Sequence, residues 1–272
     1  MKEWLTVERG EAPLVVSVPH AGTQIPEHIE ARLSSPELAR KDADFYVDRL
    51  YGFAREMGAT IVRTAISRSV IDVNRDPSGE SLYPGQATTG LCPVETFDGE
   101  PLYRAGEEPS SEEIAERRAG WFEPYHAALA GELDRLREAS GTVVLYDAHS
   151  IRSMVPRLFD SELPQFNIGT DDGRSCAPAL QAALAEVCAA SGRSWVANGR
   201  FKGGWITRHY GAPGDGVHAI QMELAIRGYA DEDSGWPPAW DEQRAAPLQE
   251  ALGRVLTACL DFAKQDADHA DR

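Results

Sequence analysis

The chain is poor in cysteine, in cations and in long apolar runs. Its four cysteines, Cys92, Cys176, Cys188 and Cys259, stand apart and form no C-x-x-C pair. That spacing argues against a cysteine-built zinc cluster and against a disulfide framework. It leaves reduced thiols in a cytoplasmic protein as the expectation. No apolar stretch approaches the roughly 20 residues that a membrane span needs. Met1-Lys2-Glu3-Trp4 lacks the apolar core of a secretory leader, so none is expected. Lys and Arg number 27 against 43 Asp and Glu, a formal charge of −16. Nucleic acids and anionic membranes both attract clustered cations, so neither is an expected partner. There is no G-x-G-x-x-G or phosphate-loop signature, and Ser17 and Ser150 lack the context of a nucleophile elbow.

What is present is an ordinary globular composition. The 272 residues are 42% apolar, enough to bury a core. Strand-like and helix-like patterns alternate, without internal repeats or a long linker, which predicts one α/β domain over 1–272 with a mixed, largely parallel sheet. Strands are expected at Leu14–Val18, Thr60–Thr64, Thr142–Tyr146, Trp195–Ala197 and Val217–Leu224. Helices are expected near Pro36–Met57 (Ser35 as cap, Gly58 as stop), from Ser111 as cap with a break or kink at Pro124, near Ala177–Ser191 and over Asp241–Lys264. Residues 77–110 and 198–216 read as loops long enough to be functional.

Two apolar runs each lead into a histidine. Leu14–Val18 is followed by Pro19-His20, and Thr142–Tyr146 by Asp147-Ala148-His149. Ligands of open α/β sheets bind at the carboxyl ends of strands, so two histidines delivered there can begin a metal site. Each could equally be a polar residue closing a strand. Asp44 and Asp48 are four apart on the expected helix and would share one face. Asp48 reads as solvated. Asp44 begins the apolar Phe45-Tyr46-Val47 and could point inward, completing a two-His, one-carboxylate zinc set. Glu223, within Ala219–Leu224, is either a desolvated acid–base group or a salt-bridged one. Asn74-Arg75 could grip a carboxylate, or Arg75 could pair with Asp72 or Asp76 to hold a loop. Arg68 could face a developing oxyanion. Arg200, Lys202, Arg208 and His209 make the 198–216 loop basic in an acidic chain, which suits an anionic small molecule.

The segments LVVSVPHAGTQIP (14–26), DADFYVDRLY (42–51), SRSVIDVNRDPSGESLYPGQATTGLCP (67–93), LYDAHSIRSMVPRLFD (145–160) and NGRFKGGWITRHYGAPGDGVHAIQMELAIRGY (198–229) together resemble the N-formylglutamate amidohydrolase family. They span about residues 13–230. The family is similar to the zinc carboxypeptidase-type hydrolases. The resemblance therefore implies a three-layer α/β/α sandwich around a mixed sheet, one catalytic zinc per chain, and hydrolysis of N-formyl-L-glutamate to formate and L-glutamate in histidine degradation.

Carried over by position, the resemblance makes His20 and His149 the zinc histidines, Asn74-Arg75 the pair on the substrate α-carboxylate, and Glu223 the carboxylate that activates water. One departure matters: zinc carboxypeptidases carry Glu three residues after the first His, and this chain has Thr23 there. Glu27 lies further on, behind Pro26. Asp44 is therefore expected as the third ligand, with Asp147 orienting His149 from behind. Arg68 would stabilise the oxyanion, cations of the 200–208 loop, Arg208 foremost, with Arg152 as another candidate, would hold the side-chain carboxylate, and His209 would help bind the substrate. Other divalent transition metals could replace zinc at an N/O site. The competing functions are a zinc amidohydrolase or carboxypeptidase acting on another N-acyl amino acid, a non-catalytic binder of acidic amino acids, and an interaction domain with incidental histidines.

Overall fold

The computed structural model describes residues 3–81, 85 and 88–270. Seven strands form one sheet: β1 (Leu5–Glu8), β2 (Leu14–Val18), β3 (Thr60–Thr64), β4 (Val143–Ile151), β5 (Phe166–Gly169), β6 (Trp195–Ala197) and β7 (Val217–Ala225). Their order across it is β1-β3-β2-β4-β7-β5-β6. The central four, β3, β2, β4 and β7, run parallel. β1 lies antiparallel to β3 and β5 antiparallel to β7, so the sheet is mixed. A second small pair joins β8 (Ala230–Asp231) to β9 (Ala239–Trp240).

The helices are α1 (Glu27–Glu30), α2 (Pro36–Ala39), α3 (Val47–Leu50), α4 (Ser111–Arg117), α5 (Glu123–Ser140), α6 (Pro178–Ala190), α7 (Trp205–Tyr210) and α8 (Glu242–Ala270). They cover both faces of the sheet, as strand periodicity requires. Val16, Tyr146, Ile220 and Met222 share one apolar cluster with Leu180 and Leu184 of α6 and Leu252 and Val255 of α8. Val15, Val62, Leu145 and Ala219 point the other way, onto Leu129 and Leu133 of α5 and Ile206 of α7. The result is the expected three-layer α/β/α sandwich.

Three local expectations need correction. The single helix over 36–57 is broken into α2, α3 and a short 3₁₀ turn at Gly52–Arg55. Tyr46 adopts a left-handed backbone (φ 65°), and the Asp44 amide donates to the carbonyl of His20 at 3.0 Å instead of continuing a helix. Tertiary contacts override the helical pattern here. Asp44 and Asp48 therefore share no helix face; Asp48 is exposed and lies 3.2 Å from Arg63, as a solvated residue should. Next, β4 continues through His149 to Ile151, so this histidine lies inside the strand. Finally, Ser110 rather than Ser111 caps α4, accepting from the Glu113 amide at 3.3 Å. Pro124 does not end the helix; the preceding turn, Arg118–Phe122, widens to π geometry.

The loop 198–216 contains α7. Among the described residues of 77–110 there is no helix or strand. Residues 82–84, 86 and 87 of that expected loop lie outside the described residues.

Candidate metal centre and active site

One face of the sheet changes character along its strands. On the α5–α7 side, β2 presents Val15 and then Ser17, β4 presents Val143 and Leu145 and then Asp147 and His149, and β7 presents Ala219 and then Gln221 and Glu223. The apolar halves pack in the core. The polar halves converge at the carboxyl ends of the parallel strands, where such sheets build their sites. Strand register aligns them in two rows. Ser17, Asp147, Gln221 and Gly169 form one, and His149, Glu223 and Asn167 the other. Gly169 is required because the 202–203 loop crosses it: a Cβ there would lie 2.5 Å from the Gly203 nitrogen.

His20, Asp44 and His149 are all buried, and one ligand atom from each lies within 4.8 Å of the others. Asp44 Oδ2 is 3.2 Å from His149 Nδ1 and 3.8 Å from His20 Nδ1. The opposite ring nitrogens are held by carboxylates. His20 Nε2 meets Asp72 Oδ1 at 2.7 Å, and His149 Nε2 meets Asp147 Oδ2 at 2.8 Å. A carboxylate behind a neutral imidazole draws its proton to Nε2 and turns the Nδ1 lone pair forward.

His20 Nδ1 and Asp44 Oδ1 are buried without a hydrogen-bond partner, although the Arg68 guanidinium approaches Asp44 Oδ1 at 3.5 Å. Buried polar atoms are normally satisfied. A divalent cation among these three residues would satisfy both, and two nitrogens with one oxygen suit zinc with an open position. The residues present therefore fit a metal.

The surrounding charges are strongly perturbed. Burial, reinforced by Arg68, lowers the pKa of His20 against the pull of Asp72 and Asp44. Burial also opposes charge on His149, but Asp147 and Asp44 outweigh it and hold this imidazole well above its usual range. Burial would raise Asp72, yet His20, Arg75 and Arg68 keep its carboxyl well below the usual range. Glu223 goes the other way: burial pushes it up to about 8, with Asp44 and Asp147 adding and His149 and Arg68 opposing.

Gln221 donates from Nε2 to Glu223 Oε2 at 3.2 Å. The direction is fixed chemically, because its Oε1 accepts the Gly204 amide at 2.7 Å.

These groups open into a pocket of about 670 Å³, counting its solvent-facing mouth. Of the expected residues, His20, His149, Glu223, Arg68, Asn74 and Arg75 line it. Asn74 is nonetheless largely committed within the protein. Its Oδ1 accepts the Ile206 amide at 2.8 Å and its Nδ2 donates to Asp147 at 3.2 Å.

Arg152, Arg208 and His209 do not line the pocket. Arg152 is drawn to Asp42 (3.2 Å) and Asp98 (2.8 Å). Arg208 donates to the Gly203 carbonyl at 3.0 Å, and His209 stacks on Trp205 at 4.0 Å.

Three residues of the site escaped sequence reasoning: Asp72, Gln221 and Arg157. Asp72 reads as a loop partner of Arg75, but it bonds His20, the Asn74 amide (2.9 Å) and Arg68 (2.7 Å). Gln221 was findable, since a residue two before Glu223 in a strand shares its face. Arg200, from the loop whose cations were expected to meet an anionic molecule, does line the pocket. Arg157 carries no local signal.

A sequence profile described as N-formylglutamate amidohydrolase matches residues 12–230. The chain is 47% identical over 266 residues to the N-formylglutamate deformylase of Pseudomonas aeruginosa, covering 97% of this chain and 99% of that one. It is 46% identical to the N-formylglutamate deformylase of Pseudomonas putida over 261 residues, 96% and 97% of the two chains. Its fold matches a crystal structure of N-formylglutamate amidohydrolase from Ralstonia eutropha with a TM-score of 0.80 at 24% identity, over 98% of this chain and 99% of the other.

Proposed function

The chain belongs to the N-formylglutamate amidohydrolase family, and from that premise we propose that it hydrolyses N-formyl-L-glutamate to formate and L-glutamate. In this reading a divalent metal, zinc first among the candidates, is held by His20, Asp44 and His149 of a single hydrolase domain. Histidine degradation in the cytoplasm is the setting this activity implies. The observation that carries the proposal is the buried triad itself, with an orphaned His20 Nδ1 and carboxylate-backed imidazoles, beside the raised carboxyl of Glu223.

When bound, the ion supplies Lewis acidity, lowering the pKa of water and polarising the formyl oxygen. Glu223 accepts the proton of the attacking water and delivers it to the glutamate nitrogen as the C–N bond breaks. A carboxyl near 8 in the protein alone, held by Gln221, suits both halves of that transfer. Water's oxygen ends on formate, and both of its protons end on the glutamate nitrogen, which leaves as an ammonium group. Arg68 lines the pocket with its charge against the triad, where it can meet negative charge developing on the formyl oxygen. Arg75 receives the α-carboxylate, beside Asn74, whose side chain is held by the Ile206 amide and Asp147. Arg75 is braced by Thr89, through the carbonyl at 2.9 Å and the hydroxyl at 3.2 Å.

Glu223→Gln tests the assignment. The variant is expected to keep its metal content and lose about 10²–10⁴ of its turnover. Wild-type formate release from that variant would remove Glu223 from the mechanism. An N-acetyl-L-glutamate control separates deformylation from a broader amidase: rapid release of acetate would favour the broader enzyme. Binding of N-formylglutamate without release of product would favour the non-catalytic binder.

A further inference from the structure

We propose that Asn74 is a positioning residue of the metal centre: its backbone and side-chain amides tie together the two carboxylates that stand behind His20 and His149. The inference rests on the metal-centre reading above. It moves the Asn74 side chain from the substrate, where the family resemblance puts it, to the scaffold of the site.

Each backing carboxylate presents one oxygen to its histidine, and that same oxygen accepts an N–H from Asn74. Asp72 Oδ1 meets His20 Nε2 at 2.7 Å and the Asn74 backbone amide at 2.9 Å. Asp147 Oδ2 meets His149 Nε2 at 2.8 Å and Asn74 Nδ2 at 3.2 Å. His149 Nε2 also lies 3.1 Å from Asn74 Nδ2. Both nitrogens carry protons aimed at Asp147, so they share an acceptor and do not bond each other. Asp72 lies in the loop after β3 and Asp147 within β4, so one residue links supports that come from two parts of the fold.

The surroundings fix Asn74 in that place. The residue is buried. Its Oδ1 accepts the Ile206 amide at 2.8 Å, which assigns Nδ2 to the Asp147 side. Its carbonyl accepts the Trp205 amide at 3.3 Å, so two bonds fasten the start of α7 to this one residue. Gly204 gives the side chain its room, since a Cβ there would lie 2.4 Å from Asn74 Nδ2. The second Nδ2 proton faces Gln221 Oε1 at 3.5 Å, so both protons point at acceptors of the protein. Asp147 is held from its other oxygen as well, where Oδ1 accepts Ser17 Oγ at 2.7 Å. Partners behind metal-binding imidazoles set ring orientation and ligand strength, and a carboxylate oxygen held by a second N–H cannot swing away from its ring.

The test measures zinc affinity by chelator competition in wild type, Asn74→Ala, Asp147→Ala and the double variant, and then KM for N-formyl-L-glutamate at saturating zinc. Asn74→Ala is expected to bind zinc at least about 10-fold more weakly than wild type, with KM within about 3-fold. In the Asp147→Ala background the same substitution should cost less than about 2-fold more, because its target is gone. Gly204→Ala, which displaces the same side chain without removing it, should weaken zinc binding in the same direction, and it carries the test if Asn74→Ala does not fold. Zinc affinity within about 2-fold of wild type in Asn74→Ala, equal losses in both backgrounds, or a KM raised about 10-fold or more at saturating zinc would each overturn the assignment; the last would return Asn74 to the substrate. Wild type that binds no zinc would overturn the metal-centre reading, and this inference with it. The zinc measurements need no turnover, so failure of the deformylase reading alone would leave them to decide.

Discussion

Asp72→Asn should damage metal binding and stability together, although it changes only one atom's identity. Asp72 is fully buried and serves three strong donors. Oδ1 faces His20 Nε2 at 2.7 Å and accepts the Asn74 amide at 2.9 Å, while Oδ2 accepts Arg68 Nη2 at 2.7 Å. In the variant the amide oxygen must stay on the Oδ1 side, because the Asn74 amide can only donate. The new NH₂ is then forced against Arg68, donor against donor. Breaking a buried ion pair from one side typically costs about 3–5 kcal/mol. For a chain of this size that corresponds to a fall in Tm of about 10 °C. His20 also loses the charge that orients its ring, and such a change typically weakens metal affinity about 10–100-fold. Thermal unfolding of the metal-free proteins reads the first effect without interference from metal loss. Competition with a chromophoric chelator reads the second. A variant that melts within 1 °C of wild type and binds zinc within about 2-fold would refute the reasoning.

Two further outcomes follow from the same geometry. His126 Nε2 donates to the Val73 carbonyl at 2.8 Å, and burial pushes its pKa down to about 3 against that bond, with His209 adding to the fall. Its folded pKa lies below the unfolded value near 6.5, so its stabilising share is complete above pH 6.5 and is lost as pH falls toward 3. The slope is about 1.4 kcal/mol per pH unit, and denaturant unfolding at pH 7 and pH 5 of wild type and His126→Gln should differ by about 2 kcal/mol; parallel curves would contradict it. Gly204→Ala places a Cβ 2.4 Å from Asn74 Nδ2 and 2.5 Å from Asn74 Oδ1, so the Asn74 side chain must move. The expected result is a loss of at least about 10-fold in kcat/KM with the far-UV circular dichroism unchanged, and wild-type kinetics would show that Asn74 placement is unimportant.

Much of this arrangement was legible in the order of residues. The apolar runs at Leu14–Val18, Thr60–Thr64 and Trp195–Ala197 are strands over those same bounds. His20, His149 and Asp44 come together as a group that can bind a metal. The end of β4 was missed for an instructive reason. Tyr146 and Ala148 continue the apolar face, while Asp147 and His149 alternate with them toward the site. Buried polar residues at a site break the simple rule that a strand ends where apolar residues end. The break around Asp44 depends on a bond to His20 from far along the chain, which no local pattern encodes. Arg152 and Arg208 illustrate the other limit. A sequence displays charges but not their partners, and Asp42, Asp98 and the Gly203 carbonyl draw these two away from the pocket.

Formate release from N-formyl-L-glutamate by the purified chain, before metal removal, after it and after zinc is restored, tests the central claim most directly. The expected result is one formate per glutamate formed, loss of activity when elemental analysis shows the metal gone, and recovery with about one zinc per chain. Undiminished formate release from protein shown to be metal-free would contradict the assignment of His20, Asp44 and His149 as the working metal centre.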